Sequence, residues 1–331
     1  MKEIELKLTL PTQQPEQLDA LLAAVPALAQ CETAGGRQTV ALHNIYFDTP
    51  DHLLHRKRIA LRLRQKGSTN QQQWLQTLKI GSSTDSALSQ RGEWEAPVAG
   101  AALSKELLMQ TPWSELDPHG AVFAALVPCF TTAFSRTLWR VAAADGSRVE
   151  VAFDQGVVQA GGKTSPICEL ELELLSGQPA ALFDVALQIA ATVAVLPAAT
   201  SKAQRGFALA QGTLLEPCFA PRRGLKNGTG QARMARAELL SAFAQITGNL
   251  NVLLQSYSPA GVQQACIGLR RLRAALRYFK PDLPQAVTAS MASLLQRATP
   301  LKQGGAIART LQNPATGTDL LKICRWLELD F

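Results

Sequence analysis

Two periodicities divide this chain. Over the first two thirds apolar residues recur at every second position, the repeat of a half-buried strand. Residues 2–10 set Ile4, Leu6 and Leu8 against Glu3, Glu5 and Lys7. Residues 57–66 set Ile59, Leu61 and Leu63 against Arg58, Arg62 and Arg64, and residues 72–80 pair with them across the polar turn Gly67-Ser68-Thr69-Asn70. Further strands are predicted at 38–48, 89–98, 131–144, 147–159 and 166–175, with Asp145-Gly146 as a two-residue hairpin turn. Helices are predicted from Pro15 to Ala29 and over 103–110, 118–127 and 179–195. Residues 213–230 hold Pro217, Pro221, Gly224, Asn227, Gly228 and Gly230, a linker composition. Beyond them the period becomes helical, over 231–257, 260–279, 284–298 and 318–328, punctuated by Pro259, Pro281 and Pro284. The expected class is α+β: a sheet or barrel over residues 1–212, a linker at 213–230 and an all-α module over 231–331.

Charge follows the same division. Residues 1–221 carry 18 Lys/Arg against 21 Asp/Glu, whereas residues 222–331 carry 15 against 5. A basic C-terminal half could attract a polyanion. It lacks aromatic stacking platforms among its basic residues, so nucleic acid is not the expected partner. The six cysteines are scattered without a CxxC pair, which predicts reduced thiols in a cytoplasmic protein. Met1 to Glu5 has no apolar signal-peptide region, and no run of about 18 uncharged apolar residues predicts a membrane span.

The chemistry lies on the polar faces of the strands. Glu169, Glu171 and Glu173 alternate with leucines, Arg62 and Arg64 share a face, and so do Arg91, Glu93 and Glu95. Side chains two apart on a strand lie about 7 Å apart on one face. One such strand is ordinarily a solvated face. Several together crowd like charges, unless a counter-ion or opposite charge sits between them. If the sheet curls into a barrel, carboxylates could hold Mg²⁺ or Mn²⁺. Arg and Lys could hold phosphate oxygens, a pairing suited to phosphoryl transfer. The four histidines lack zinc-ligand spacing, and there is no P-loop, dinucleotide fingerprint or nucleophile elbow.

Glu3-Ile4-Glu5-Leu6-Lys7 resembles the ExExK motif of the CYTH superfamily of triphosphate tunnel metalloenzymes. It is followed in family order by Tyr46-Phe47-Asp48-Thr49-Pro50, Ala60-Leu61-Arg62-Leu63-Arg64, Gln76-Thr77-Leu78-Lys79, Arg91-Gly92-Glu93-Trp94-Glu95, Phe134-Ser135-Arg136, Glu169-Leu170-Glu171-Leu172-Glu173 and Ser201-Lys202-Ala203-Gln204-Arg205-Gly206. The resemblance covers residues 1–212 and implies an eight-stranded antiparallel β-barrel tunnel with flanking helices. It implies metal binding by Glu3, Glu5, Asp154, Glu169 and Glu171, with Glu173 at the edge of the matched motif. It implies triphosphate binding by Lys7, Arg62, Arg64, Lys79, Arg91, Arg136, Lys202 and Arg205, with Glu93 and Glu95 orienting these cations. Glu3, Glu5 and Lys79 are the candidate catalytic residues. Lys79 becomes a candidate general base only if its neighbours depress its pKa, and is otherwise a plain phosphate ligand.

Residues 262–273 resemble the first helix of a CHAD domain, a module linked to polyphosphate. Gln263 and Cys266 stand where that resemblance implies histidine and arginine, and the module is about half the expected length. Arg270, Arg273 and Arg277 align at helical spacing, with Arg271 and Lys280 nearby. The expected activity is hydrolysis of inorganic triphosphate. Thiamine or nucleoside triphosphatase, adenylate cyclase of the class IV type, and a polyphosphate-binding adaptor remain open.

Overall fold

In the computed structural model the described residues are 2–11, 15–33, 36–67, 73–81, 86–221, 230–298 and 304–331. Eight strands alternate apolar and charged positions, and their charged faces turn inward around a closed barrel. They are β1 (Lys2–Thr9), β2 (Gln38–Asp48), β3 (Ile59–Lys66), β4 (Gln73–Ile80), β5 (Leu88–Val98), β6 (Val127–Ala142), β7 (Arg148–Ala160) and β8 (Lys163–Ser176). Their order is β5-β4-β3-β2-β6-β7-β8-β1, every pairing is antiparallel, and β1 closes the ring on β5. The two-residue β9 (Leu196–Pro197) extends the β1 edge.

Register decides which charges meet. Glu3 lies opposite Arg91, Glu5 opposite Glu173, and Lys7 opposite Glu171. Arg136 lies opposite Asp154, and Asp154 opposite Glu169. Going round the barrel, β7, β8, β1 and β5 contribute the carboxylates and β4, β3 and β6 contribute cations, with Lys7 of β1 and Arg91 of β5 set among the carboxylates.

Short helices decorate the barrel: α1 (Pro15–Ala23), α2 (Pro26–Thr33), α3 (Leu53–Arg56), α4 (Lys105–Met109), α5 (Trp113–Leu116), α6 (Ala121–Ala124), α7 (Ala180–Ala190) and α8 (Lys202–Gln211). The expected helix from Pro15 to Ala29 breaks in two because Pro26 brings no N–H to continue the first segment and instead opens the second. The helix expected over 118–127 is reduced to one turn, because Val127 and Pro128 are drawn into β6 by pairing with the end of β2. The strand expected from residue 57 starts at Ile59, since Arg58 adopts φ 58°, a left-handed conformation a strand cannot hold. The expected turn at 67–70 falls, after Gly67, outside the described residues, as does the linker over 222–229.

The C-terminal helices are α9 (Gln231–Gln255), α10 (Pro259–Phe279), α11 (Gln285–Ala298), α12 (Gly304–Leu311) and α13 (Pro314–Arg325). The last begins four residues before the expected 318 because Asn313 caps it and Pro314 occupies its first turn. One apolar cluster runs without a break from the outer face of the barrel (Leu6, Leu8, Phe153, Leu170) through α7 (Phe183, Ile189) to the C-terminal helices (Leu239, Leu272, Leu320). Burial of such side chains is worth about 1.5–3 kcal/mol each, so the helical region braces the carboxylate-bearing strands from outside. Among the described residues no helix is long and apolar enough to cross a membrane.

Candidate active site in the barrel lumen

The lumen is a cavity of about 690 Å³ lined by seven Glu and seven Lys/Arg side chains. These include Glu3, Glu5, Lys7, Arg62, Arg64, Lys79, Arg91, Arg136, Glu171 and Lys202 of the expected set. Asp154, Glu169 and Arg205 lie beside it as buried partners rather than lining residues. All of the expected residues thus converge; most form two ion-pair groups, and Arg62 and Arg64 stand apart as a cation wall.

The first group is closed on itself. Lys202 Nζ lies 2.6 Å from Asp154 Oδ2, 2.5 Å from Glu169 Oε1 and 2.9 Å from Glu171 Oε1. Arg136 donates to both Asp154 oxygens at 2.7 and 2.6 Å and to Glu171 at 2.5 Å. Arg205 donates to Glu169 at 3.1 Å and to the Pro166 carbonyl at 2.9 Å. The Asp154, Glu169 and Glu171 oxygens converge within 4.8 Å, close enough to share one cation, and the Lys202 ammonium touches all three. Burial would raise the Asp154 carboxyl, but Arg136 and Lys202 hold it down. Burial likewise opposes the charge on Lys202, and its three carboxylates raise its pKa instead.

Local structure aims these cations. Lys202 and Arg205 occupy the first turn of α8, whose start is fixed by a capping box between Ser201 and Gln204. Gly206 brings the helix against β6; a Cβ there would meet the Phe130 ring at 2.2 Å. α8 was not among the expected helices, although Ser201 followed three residues later by Gln204 is its sequence signature.

The second group is open. Lys79 donates to Glu3 at 2.9 and 3.2 Å, and Arg91 donates to Glu3 at 2.6 Å and to Glu5 at 2.5 Å. Burial would raise the Glu3 carboxyl, but Lys79 and Arg91 outweigh it and hold it at about 2. Lys7 Nζ bridges the groups, 3.0 Å from Glu5 Oε1 and 3.3 Å from Glu171 Oε1. Glu5 Oε1 is buried and, beyond that ionic contact, accepts no hydrogen bond. Glu173 faces this wall. Burial and then the charges of Glu3, Glu93 and Glu150 push its carboxyl up to about 7. Glu173, at the edge of the motif that implies the metal set, lies opposite Glu5, a pairing that is a fact of register.

The cation wall shows the mirror image. Arg64 is held by Asn44, which accepts its Nε–H at 2.9 Å and itself donates to Thr132 at 2.8 Å. Burial and then the crowding of Arg62 and Arg136 lower the Arg64 pKa to about 9. Arginine stays charged in proteins, so the fall measures electrostatic stress rather than deprotonation. Tyr46 backs Arg62, and Glu93 lies 3.0 Å from Lys79 and 3.8 Å from Arg62. Glu95 accepts from Thr77 at 2.9 Å. Tyr46 and Asn44 sit in the motif-bearing strand β2, yet their roles follow only from its pairing with β3.

In the C-terminal region Arg270, Arg273, Arg277 and Lys280 remain exposed on or just after α10. Arg271 turns inward onto Glu238, Ser241 and Gln245 of α9.

The chain is 35% identical over 210 residues to the inorganic triphosphatase of Haemophilus influenzae, a stretch covering 63% of this chain and 55% of that protein. It thus spans about half the length of this curated relative. Among solved structures it is similar to an adenylyl cyclase candidate from Hippeastrum with a dominant triphosphatase activity, at 21% identity over 62% of this chain and 95% of that one, with a TM-score of 0.46. It is also similar to an adenylate cyclase candidate from Bacillus halodurans, at 20% identity over 62% of this chain and 98% of that one, with a TM-score of 0.39. Residues 1–207, more than half of the chain, match the CYTH domain, and the chain belongs to the CYTH family.

Proposed function

We propose that this chain hydrolyses inorganic triphosphate to diphosphate and phosphate with Mg²⁺ or Mn²⁺. The observation that carries the reading is the lumen itself, where a carboxylate wall and an Arg/Lys wall face one cavity. Most of these charges are matched by neighbours, but one group on each wall is not: Glu173 is pushed up to about 7 and Arg64 down to about 9. A divalent cation relieves the first and a polyanion the second. The Haemophilus relative's inorganic triphosphatase activity points the same way. The seven Lys/Arg side chains of the lining suit a chain of phosphates.

The fit for a divalent ion is best at the open group. Glu3, Glu5 and Glu173 would hold it, since Glu5 Oε1 retains acceptor capacity and the pull of Lys79 on Glu173 is outweighed by burial and by Glu3, Glu93 and Glu150. The converging Asp154, Glu169 and Glu171 are the second candidate set, and an ion there would have to displace Lys202. A bound divalent ion supplies Lewis-acid neutralisation of phosphate charge. This chain's own residues do the positioning. Arg62, Arg64 and Arg136 bind phosphate oxygens from one side, and Lys7, Lys79, Arg91 and Lys202 from the others. The carboxylates that hold these cations pre-orient them, so little rearrangement opposes the reaction. Burial, then Arg91 and Arg62, lower the Lys79 pKa. Its ammonium nonetheless donates to Glu3, and we assign it to phosphate binding rather than to proton abstraction.

We further propose residues 1–212 as the tunnel unit and 231–331 as its helical brace, with 213–230 linking them. Polyphosphate is the ligand to test on the exposed arginines of α10. The six free cysteines fit a reducing cytoplasm. Assaying triphosphate, ATP, thiamine triphosphate and long polyphosphate side by side tests the substrate. Untouched triphosphate together with cyclic AMP from ATP would sink the reading.

A further inference from the structure

A second cavity of about 400 Å³ adjoins the lumen. Lys7, Lys79 and Arg91 stand in the walls of both spaces. The second space adds His55, Arg56 and Arg58, and none of its described lining residues is acidic. The lumen, by contrast, sets seven Glu side chains against its cations. Lys7, Lys79 and Arg91 already pair with the lumen's Glu5 and Glu3, so the positive charge this space adds is that of Arg56 and Arg58, and a hollow lined by cations concentrates anions.

The chamber is held in shape by backbone contacts. Arg58 leaves α3 with a left-handed backbone, and its carbonyl accepts from the Gly81 N–H at 2.8 Å. On the opposite rim the Lys7 N–H donates to the Ala87 carbonyl at 3.0 Å, and Ser86 donates to Glu328 of the C-terminal region at 2.5 Å. The Arg56 guanidinium lies on Asp51, 2.7 Å away, which is outside the lining.

We propose that this rear chamber binds a phosphate group beyond those held in the lumen. The identity of the anion rests on the triphosphatase reading. Two sources share this chemistry: the orthophosphate released by hydrolysis, and the overhanging end of a chain longer than triphosphate. In either case Lys7, Lys79 and Arg91 would be shared between the phosphate in the lumen and the one behind it.

The test uses the full chain and two variants. Arg56→Gln with Arg58→Asn removes two charges while keeping a residue that tolerates the left-handed backbone. Ala199→Glu adds a carboxylate at an exposed position of the chamber wall. Orthophosphate binding is measured directly by calorimetry, and KM is measured for triphosphate and tetraphosphate. If released phosphate is the occupant, orthophosphate inhibits the wild type noncompetitively, and both variants weaken its binding about fivefold or more. If a longer chain is the occupant, the variants raise KM for tetraphosphate by a similar factor while KM for triphosphate moves less than about twofold. Folded variants that match the wild type in both measurements overturn the proposal. Should the double variant fail to fold, Ala199→Glu alone decides. Should the wild type leave triphosphate untouched, the enzymatic reading falls, and direct orthophosphate binding still judges the chamber.

Discussion

The two carboxylate groups of the barrel meet on strand β8, one reaching across to β7 and the other to β1, yet they are balanced in opposite ways. Around Asp154, Glu169 and Glu171 every charge has a partner within 3.1 Å. Around Glu5 and Glu173 an acceptor lacks a hydrogen bond and a carboxyl is pushed up to about 7. The closed group behaves as a frame that fixes Lys202 and Arg136. In the proposed reading the open group is where an added cation lowers the energy most. A count of acidic residues would have ranked the groups the other way, because the closed one is the tighter cluster.

The sharpest way to break this comparison is to disarm the open wall. Glu3→Gln with Glu5→Gln should lower kcat by roughly 10³-fold with the fold retained, since electrostatic groups at such sites commonly contribute about 3–4 kcal/mol. Steady-state phosphate release with circular dichroism checks it, and undiminished turnover would remove both residues from the mechanism. Disarming the closed wall should instead show in stability. Lys202→Ala leaves Asp154 and Glu169 buried beside fewer counter-charges and should cost about 3–5 kcal/mol in urea unfolding of the metal-free protein. A loss under 1 kcal/mol would mean that the frame is not a frame.

On the cation side, Arg64→Gln should raise KM for triphosphate by about tenfold, as expected for one charge-assisted contact. An unchanged KM would place the substrate away from the crowded arginines.

The smallest effect is the most diagnostic. The Glu173 carboxyl is raised from its ordinary 4.5 to about 7 in the fold, so the folded protein binds its proton more tightly than the unfolded chain. Stability is therefore unaffected at low pH, falls as pH rises between these values, and carries the full penalty above about 7. Glu173→Gln imitates the protonated form. It should stabilise the metal-free protein at pH 8 by about 1 kcal/mol, after discounting for the partial exposure of the carboxyl, and by almost nothing at pH 5. With Mg²⁺ present the sign should reverse, because the charge then has a use. Thermal melts at the two pH values, with and without metal, give all four readings.

Much of this was legible in the chain. The alternation of Glu3, Glu5 and Lys7 with Ile4, Leu6 and Leu8 marks a strand with one charged face, and the ordered motifs after it imply the closed barrel that the structure has. What the sequence could not supply was cross-strand register and reach. Glu173 lies opposite Glu5, and no local pattern contains that pairing. Lys202 sits in a ten-residue helix with only two large apolar residues, Phe207 and Leu209, and its contacts lie over thirty positions away in sequence. The break at Pro26 was readable from proline chemistry alone. The union of the helical region with the barrel was not, because it depends on which outer faces of β1, β7 and β8 remain uncovered.

The central claim is that both walls act together, one through a divalent cation and the other on a polyphosphate anion. Phosphate release from inorganic triphosphate, measured on the same sample with Mg²⁺ or Mn²⁺, after chelation, and after adding the ion back, tests it most directly. The account predicts turnover with the ion, none after chelation and recovery on return. Triphosphate left intact under every ion, or turnover that survives chelation, would contradict it.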